Sequence, residues 1–331
     1  MRCAVIGGGA WGTALADLLA SNAHDTTLWA FEADVAESIN TTRENRRFLA
    51  GFTLAPQLRA TSAQREALRG ASLVVFATPS QHLRRIATEC LPYIEPDAVL
   101  VVATKGIESD SLALMTGVVA DTTREHDVVG ISGPSFAAEV VARQPTAIVA
   151  ASSNHRAALV TQLALSNTTF RVYTHDDVTG VELGGSLKNV MAVATGVVEG
   201  VGLGHNTRAA LITRGLHEMT RLGVAAGAKA STFAGLAGLG DLVLTCTGGL
   251  SRNRAIGIEI GKGATLEGAL QGKETVAEGV VTAASARALA QRYGVVMPIV
   301  DMVNRVLFEG HTARSAVSEL MTRELRSEQD P

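Results

Sequence analysis

The chain reads as an α/β protein: a doubly wound parallel-sheet domain followed by an all-helical C-terminal domain. Two continuous apolar runs, residues 71–77 (ASLVVFA) and 98–103 (AVLVVA), carry the first half of that reading. Such unbroken runs mark parallel strands covered on both faces, whereas a half-exposed strand alternates. The chain also opens with a short apolar strand at 2–6, a glycine-rich turn and an amphipathic helix. From Val178 onward the periodicity is helical, and strand-like runs stop near Tyr173.

A length of 331 residues suits two domains, each with room for a core. Six of the eight prolines lie between Pro56 and Pro145, and the polar segment 174–179 separates the two kinds of pattern. The expected division is 1–176 and 177–331. With 47% hydrophobic and 18% charged residues the chain is globular, and a net charge of -3 argues against a nucleic-acid or anionic-membrane surface. Cys3, Cys90 and Cys246 are too far apart for a zinc site, so no metal is expected. Met1-Arg2 runs straight into a strand, so no signal peptide is expected, and no apolar run has the ~18 residues of a membrane span. A cytoplasmic protein is expected. The very apolar second domain suggests a homodimer.

In the first domain Gly7, Gly9 and Gly12 form G-x-G-x-x-G between strand and helix, the Rossmann-type arrangement. The first glycine makes the turn, the second lets a pyrophosphate approach the backbone, and the third lets helix pack on strand. Helix-start N–H groups then face the anion. Glu32 lies 20 residues after Gly12, at the end of the strand 26–31. A carboxylate there accepts hydrogen bonds from a ribose 2′-hydroxyl and repels a 2′-phosphate, which favours NAD over NADP. Arg43, Arg46 and Arg47 sit in an irregular connection, 40–58, and read as a solvated face. The apolar strands end in Thr78-Pro79-Ser80-Gln81-His82 and in Thr104-Lys105-Gly106. Ligands of open α/β sheets lie at strand carboxyl ends, which lifts Lys105 above a routine surface lysine. His82 serves equally well as a helix-start residue. Strand 128–132 leads to Gly133-Pro134-Ser135, and runs at 146–151 and 170–173 complete a sheet of about eight strands.

The second domain is organised around residues 181–196, VELGGSLKNVMAVATG, a helix apolar nearly all round with one lysine, Lys188. Gly184 and Gly185 lie one turn away, and their smallness is read as space beside the ammonium. A lysine there either snorkels to solvent or needs a carboxylate or ligand. Asp241 is the only charge in AGLAGLGDLVLTCT (234–247), either an N-cap or the partner of a buried cation. Ser251-Arg252-Asn253-Arg254 offers a planar fork and amide N–H groups suited to phosphate, or a basic helix start. Glu278 lies in an expected loop, 272–279.

These segments together resemble the soluble, nicotinamide-dependent sn-glycerol-3-phosphate dehydrogenase family. The carriers are GGGAWGTALA (7–16), NTTRENRRFLAG (40–51), ATKGIE (103–108), SGPSFAAE (132–139), GGSLKNVMA (184–192), NTRAALITRG (206–215), GLAGLGDLVLTCT (235–247), SRNR (251–254) and VAEG (276–279). The resemblance covers nearly the whole chain. It implies that Ala10, Trp11, Phe31, Lys105, Ala137, Arg252, Val276 and Glu278 touch NAD, with NADP also possible. It implies that Lys105, Gly133, Ser135, Lys188, Asp241, Ser251, Arg252 and Asn253 touch the small-molecule substrate, with Thr245 close by. Two departures stand out. Phe31-Glu32 replaces the basic residues many bacterial members carry after the second strand, and Phe48-Leu49-Ala50 stands where Tyr-Leu-Pro is frequent.

The reaction so implied is reversible hydride transfer from NAD(P)H to the C2 carbonyl of dihydroxyacetone phosphate, giving sn-glycerol 3-phosphate for glycerophospholipid synthesis. Lys188 would be the general acid/base, Asp241 would hold it charged, and Lys105 would add a second positive charge. Other two-domain dehydrogenases also carry a lysine in a central helix, and a sensor that binds NADH without turnover would need no Lys188–Asp241 pair.

Overall fold

The structure is a computed structural model that describes residues 1–123, 125–272, 277–325, 327 and 328. The chain divides into two units, Met1–Glu108 with Ala113–Glu182, and Ser109–Leu112 with Leu183–Pro331.

Strands and helices alternate through the first unit. They run β1 (Arg2–Ile6), α1 (Ala10–Ser21), β2 (Asp25–Trp29), α2 (Ala33–Thr42), β3 (Arg59–Thr61), α3 (Gln64–Leu68), β4 (Leu73–Phe76) and α4 (Leu83–Cys90). Then come β5 (Val99–Val102), α5 (Met115–Thr123), β6 (Val128–Ser132), α6 (Ala137–Val141), β7 (Thr146–Ala151), α7 (His155–Leu165) and β8 (Phe170–His175). One eight-stranded sheet results, in the order β3-β2-β1-β4-β5-β6-β7-β8. Neighbours are parallel except β6 and β7. The unbroken apolar runs have the expected cause. Val5, Val75 and Val101 feed one buried cluster, while Ala4, Ile6, Val74, Phe76, Leu100 and Val102 feed another. Both faces are therefore covered, and all four residues of β4 are buried.

One strand has no apolar run to announce it. β3 is three residues long and lies at the sheet edge, paired to β2 from Thr27↔Arg59 to Trp29↔Thr61. At that length the period of two that reveals a strand does not develop.

The second unit contains helices and no strand among its described residues. It takes over α8 (Val178–Gly200) at Leu183 and continues through α9 (His205–Ala225), α10 (Ala230–Phe233), α11 (Asp241–Thr247), α12 (Arg252–Gly261) and α13 (Leu266–Leu270). It ends with α14 (Glu278–Arg292), α15 (Pro298–Phe308) and α16 (Ala313–Met321). Every residue from Gly180 to Val198 is buried, which explains why α8 is apolar all round. The stretch Ala230–Thr247 has a mean hydropathy of 1.2. It is broken into α10, a π-helical turn at Leu236–Gly240, and α11, and it carries a charged residue in an ion pair. Of that stretch, 44% is buried.

Helix α15 starts at Pro298, which tolerates the first helical position because its missing N–H has no intrahelical role there. The free N–H groups of Ile299 and Val300 donate to Glu218 of α9, at 2.8 and 3.4 Å. Burial pushes the Glu218 carboxyl up from 4.5 to about 7, against these two hydrogen bonds. The folded protein then keeps a proton that the unfolded chain has lost, so this group's contribution is full below pH 4.5 and is lost as pH rises through 7. Compared with Glu218→Gln, whose side chain stays neutral, the native protein should lose stability between those limits by up to about 1.4 kcal/mol per pH unit. Denaturant unfolding of both proteins at acid and neutral pH measures it. A stability gap that does not change with pH would contradict the assignment.

Candidate active site

In the first unit, β1, β2, β4, β5 and β6 are all parallel, so their carboxyl ends share one edge of the sheet. The glycine-rich turn follows β1. Gly7 has φ +131°, and a Cβ there would lie 2.6 Å from the Ala77 carbonyl oxygen. A Cβ at Gly12 would lie 1.9 Å from the Gly7 oxygen. Packing thus accounts for the first and third glycines. At Gly9 a Cβ would meet nothing within 4 Å. Gly9 is also the N-cap of α1, with no side chain capping the helix. Open space beside uncapped N–H groups at the start of a 12-residue helix fits a dinucleotide pyrophosphate.

The other expected residues of this unit sit on the same edge. Phe31 is 71% exposed and meets Trp29 edge-on, and Glu32 is the half-buried N-cap of α2. Ala10 and Trp11 begin α1, and the buried Trp11 indole N–H has no hydrogen-bond partner. Lys105 follows β5 beside Gly106 at φ +150°. Gly133 follows β6, where a Cβ would lie 2.8 Å from the Ile148 Cα. Ser135 donates to the Gly133 carbonyl at 2.9 Å, and Ala137 opens α6.

In the second unit the two isolated charges meet. The Lys188 ammonium, 7% exposed, donates to the carboxylate of Asp241, which is fully buried. Thr245 donates to the Asp241 carbonyl at 2.6 Å and lies 3.4 Å from its carboxylate. Asp241 is the first residue of α11, so it stands as a counter-ion inside the helix start rather than as its N-cap, which is Gly240.

The space at Gly184 has an owner other than a ligand. A Cβ there would lie 2.5 Å from the Ala237 carbonyl oxygen in the π-helical turn. This glycine lets the Asp241-bearing segment approach α8, so the backbone of that segment fills the space the sequence reading placed beside the ammonium.

Helix α12 crosses α8 through paired glycines. A Cβ at Gly196 would lie 2.1 Å from the Arg254 oxygen, one at Gly257 2.2 Å from the Val193 oxygen, and one at Gly261 2.4 Å from the Val197 oxygen. Glycines four apart share a helix face, so the two backbones touch along it. Polar ties secure the crossing. Arg254 grips Glu199 of α8 at 2.8 and 3.1 Å, and Arg208 of α9 reaches the same carboxylate at 3.3 Å.

Within SRNR the residues divide. Ser251 is the N-cap of α12, its hydroxyl accepting the Arg254 N–H. Arg252 is exposed, whereas Asn253 is buried. The Asn253 amide donates to the Asn189 side chain and its oxygen accepts the Gly279 N–H, each at 3.0 Å. Arg254 thus serves the fold, and Asn253 links α8, α12 and α14. Glu278 opens α14 instead of lying in a loop, and Val276 lies outside the described residues. Asn189 and Glu199 escaped the sequence reading. Asn189 adjoins Lys188, and Glu199 is the one acid near the end of an apolar helix.

A dinucleotide fold with a pyrophosphate-ready turn, joined in one chain to a helical unit holding a buried lysine–aspartate pair, defines a nicotinamide-dependent oxidoreductase. Two family models match, NAD-dependent glycerol-3-phosphate dehydrogenase N-terminus over residues 2–158 and its C-terminus over 177–318. Glycerol-3-phosphate dehydrogenases (NAD(P)+) of Geobacter sulfurreducens and Geobacter sp. (strain M21) are 53% and 52% identical, over 99% of this chain and 98% of each relative. The crystal structure of glycerol-3-phosphate dehydrogenase from Coxiella burnetii superposes with a TM-score of 0.94 at 40% identity, covering 97% of this chain and 99% of that one. The chain belongs to the NAD-dependent glycerol-3-phosphate dehydrogenase family.

The ion pair has a measurable energetic signature. Asp241→Leu leaves a buried ammonium without its carboxylate and should cost about 3–5 kcal/mol of stability. Adding Lys188→Met should restore most of it, since an apolar pair removes both desolvation penalties. Urea denaturation of the three proteins without ligand decides; a double variant no more stable than the single one would contradict the pairing.

Proposed function

We propose that this chain catalyses NAD(P)-dependent interconversion of dihydroxyacetone phosphate and sn-glycerol 3-phosphate, with Lys188 as general acid/base. The observation that carries the assignment is the buried Lys188–Asp241 pair. A bound nicotinamide dinucleotide supplies the hydride donor or acceptor. Residues 1–176 mainly serve the cofactor, through Gly7, Gly9, Ala10, Trp11, Gly12, Phe31, Glu32, Lys105 and Ala137, and residues 177–331 mainly serve the substrate, with Arg252 also on the cofactor.

During reduction, negative charge builds on the carbonyl oxygen. Lys188, protonated, donates from Nζ to that oxygen, and in the reverse direction the neutral amine takes the hydroxyl proton. A carboxylate neighbour favours the charged form of a lysine, while burial opposes it. Asp241 thus keeps Lys188 a proton donor and aims it, and Thr245 helps hold Asp241. Lys105 adds positive charge that stabilises a developing alkoxide. Arg252 supplies the planar fork for the phosphate, with Ser251, Asn253, Gly133 and Ser135 as further substrate contacts and Glu278 and Val276 on the cofactor side.

The product feeds glycerophospholipid synthesis in the cytoplasm, and the enzyme works as a homodimer. Exposed Val224, Val296, Met321 and Leu325 along one groove of the second unit support pairing.

Following NADH oxidation by absorbance with dihydroxyacetone phosphate tests the reading. Lys188→Ala should lower kcat by about 10²–10⁴-fold while NADH affinity stays unchanged. Wild-type turnover in that variant, or equal use of unphosphorylated hydroxyketones by the native enzyme, would overturn it.

A further inference from the structure

Residues 45–49 form a turn fastened to the glycine-rich turn. Asn45 is fully buried, and its amide donates to the Gly8 carbonyl and to the Thr13 hydroxyl, each at 2.8 Å. Its side-chain oxygen accepts the Phe48 N–H at 3.0 Å, and its main-chain carbonyl accepts the Leu49 N–H at 2.9 Å. The connection that looked irregular is therefore pinned to the backbone that receives the pyrophosphate.

The three arginines of this connection part company. Arg43 donates to the Leu58 carbonyl at 2.7 Å, and Arg46 lies 3.5 Å from Glu44 of its own turn. Arg47 faces elsewhere. Its guanidinium lies 5.2 Å above the Phe48 ring and 3.7 Å from the carboxylate of Asp34. Asp34 belongs to the first turn of α2, two residues after Glu32, the uncapped N-cap of that helix. In a fold of this kind the residue at that strand end meets the adenosine ribose, and a nearby arginine accommodates a 2′-phosphate.

The geometry points to Arg47 as the group that accepts the 2′-phosphate of NADP, offsetting Glu32 and allowing the chain to use both dinucleotides. The inference rests on the reading of the first unit as a nicotinamide-dinucleotide module. Asp34 is 67% and Arg47 37% exposed in the side chain, and ion pairs of that kind are weak. A phosphate dianion offers the planar guanidinium two charge-assisted hydrogen bonds and displaces Asp34. The first N–H groups of α2 add to the attraction. The Phe48 ring holds the guanidinium above it and limits the freedom lost when it binds. The cation thus comes from the loop after α2 rather than from the residues following β2, where this chain has Phe31-Glu32.

Equilibrium fluorescence titration of the full chain with NADPH and NADH tests this without reference to turnover. Arg47→Ala should weaken NADPH binding roughly tenfold or more, and leave NADH within about twofold. Asp34→Asn should tighten NADPH alone, and Arg47→Lys should recover part of the loss. Equal changes for both dinucleotides, no change for either, or a native protein that binds NADH but not NADPH would overturn the inference. Failure of the native protein to bind either one would overturn the reading of the first unit, and the inference with it.

Discussion

A buried ammonium held by a buried carboxylate is the constraint on which the helical unit depends. Lys188 is 7% exposed and Asp241 fully buried, so each charge needs compensation that the other helps to supply. The requirement reaches well beyond two side chains. Helix α8 must be buried all round to keep Lys188 out of water, and α11 must begin at Asp241 close to the middle of α8. The Gly184 position meets that demand by admitting the Ala237 carbonyl at a separation no side chain would allow. A buried ion pair is a weak source of stability, since desolvation of both charges offsets most of their attraction.

A second layer fixes what lies beside the pair. Glycines 196 and 200 on α8, with 257 and 261 on α12, let two helix backbones touch. The bidentate Arg254–Glu199 contact and the chain from Asn189 through Asn253 to Gly279 then resist sliding and rotation. Together they hold the start of α12, with Ser251 and Arg252, in a fixed relation to Lys188. Such rigidity is what a reacting group needs, since small misplacements cost large factors in rate.

Much of this was legible in the sequence because it rests on strong local signals. Two-sided burial of β4 and β5 leaves unbroken apolar runs, and the glycine spacing after β1 has few other uses. The lone charges at Lys188 and Asp241 stood out against apolar surroundings, and each supplied a reason for the other. What escaped depends on tertiary proximity. β3 is too short for a period, and Glu218 accepts from the start of a helix 81 and 82 positions away in the chain. The purpose of Gly184 shows only when the π-helical turn lies against it. Arg43, Arg46 and Arg47 look alike as a run of charges, and their different partners, among them Leu58, Glu44 and Asp34, show only in the folded chain. Asn189 and Glu199 act through partners that no spacing rule connects.

The state of the Lys188 side chain tests the central claim most directly. Nitrogen NMR of the lysine side chains can report whether its Nζ is an ammonium or a neutral amine near neutral pH. A protonated Lys188, slow to exchange and lost as a distinct signal in Asp241→Asn, is the predicted result. A neutral amine in the native protein, or an ammonium indifferent to Asp241, would contradict the account.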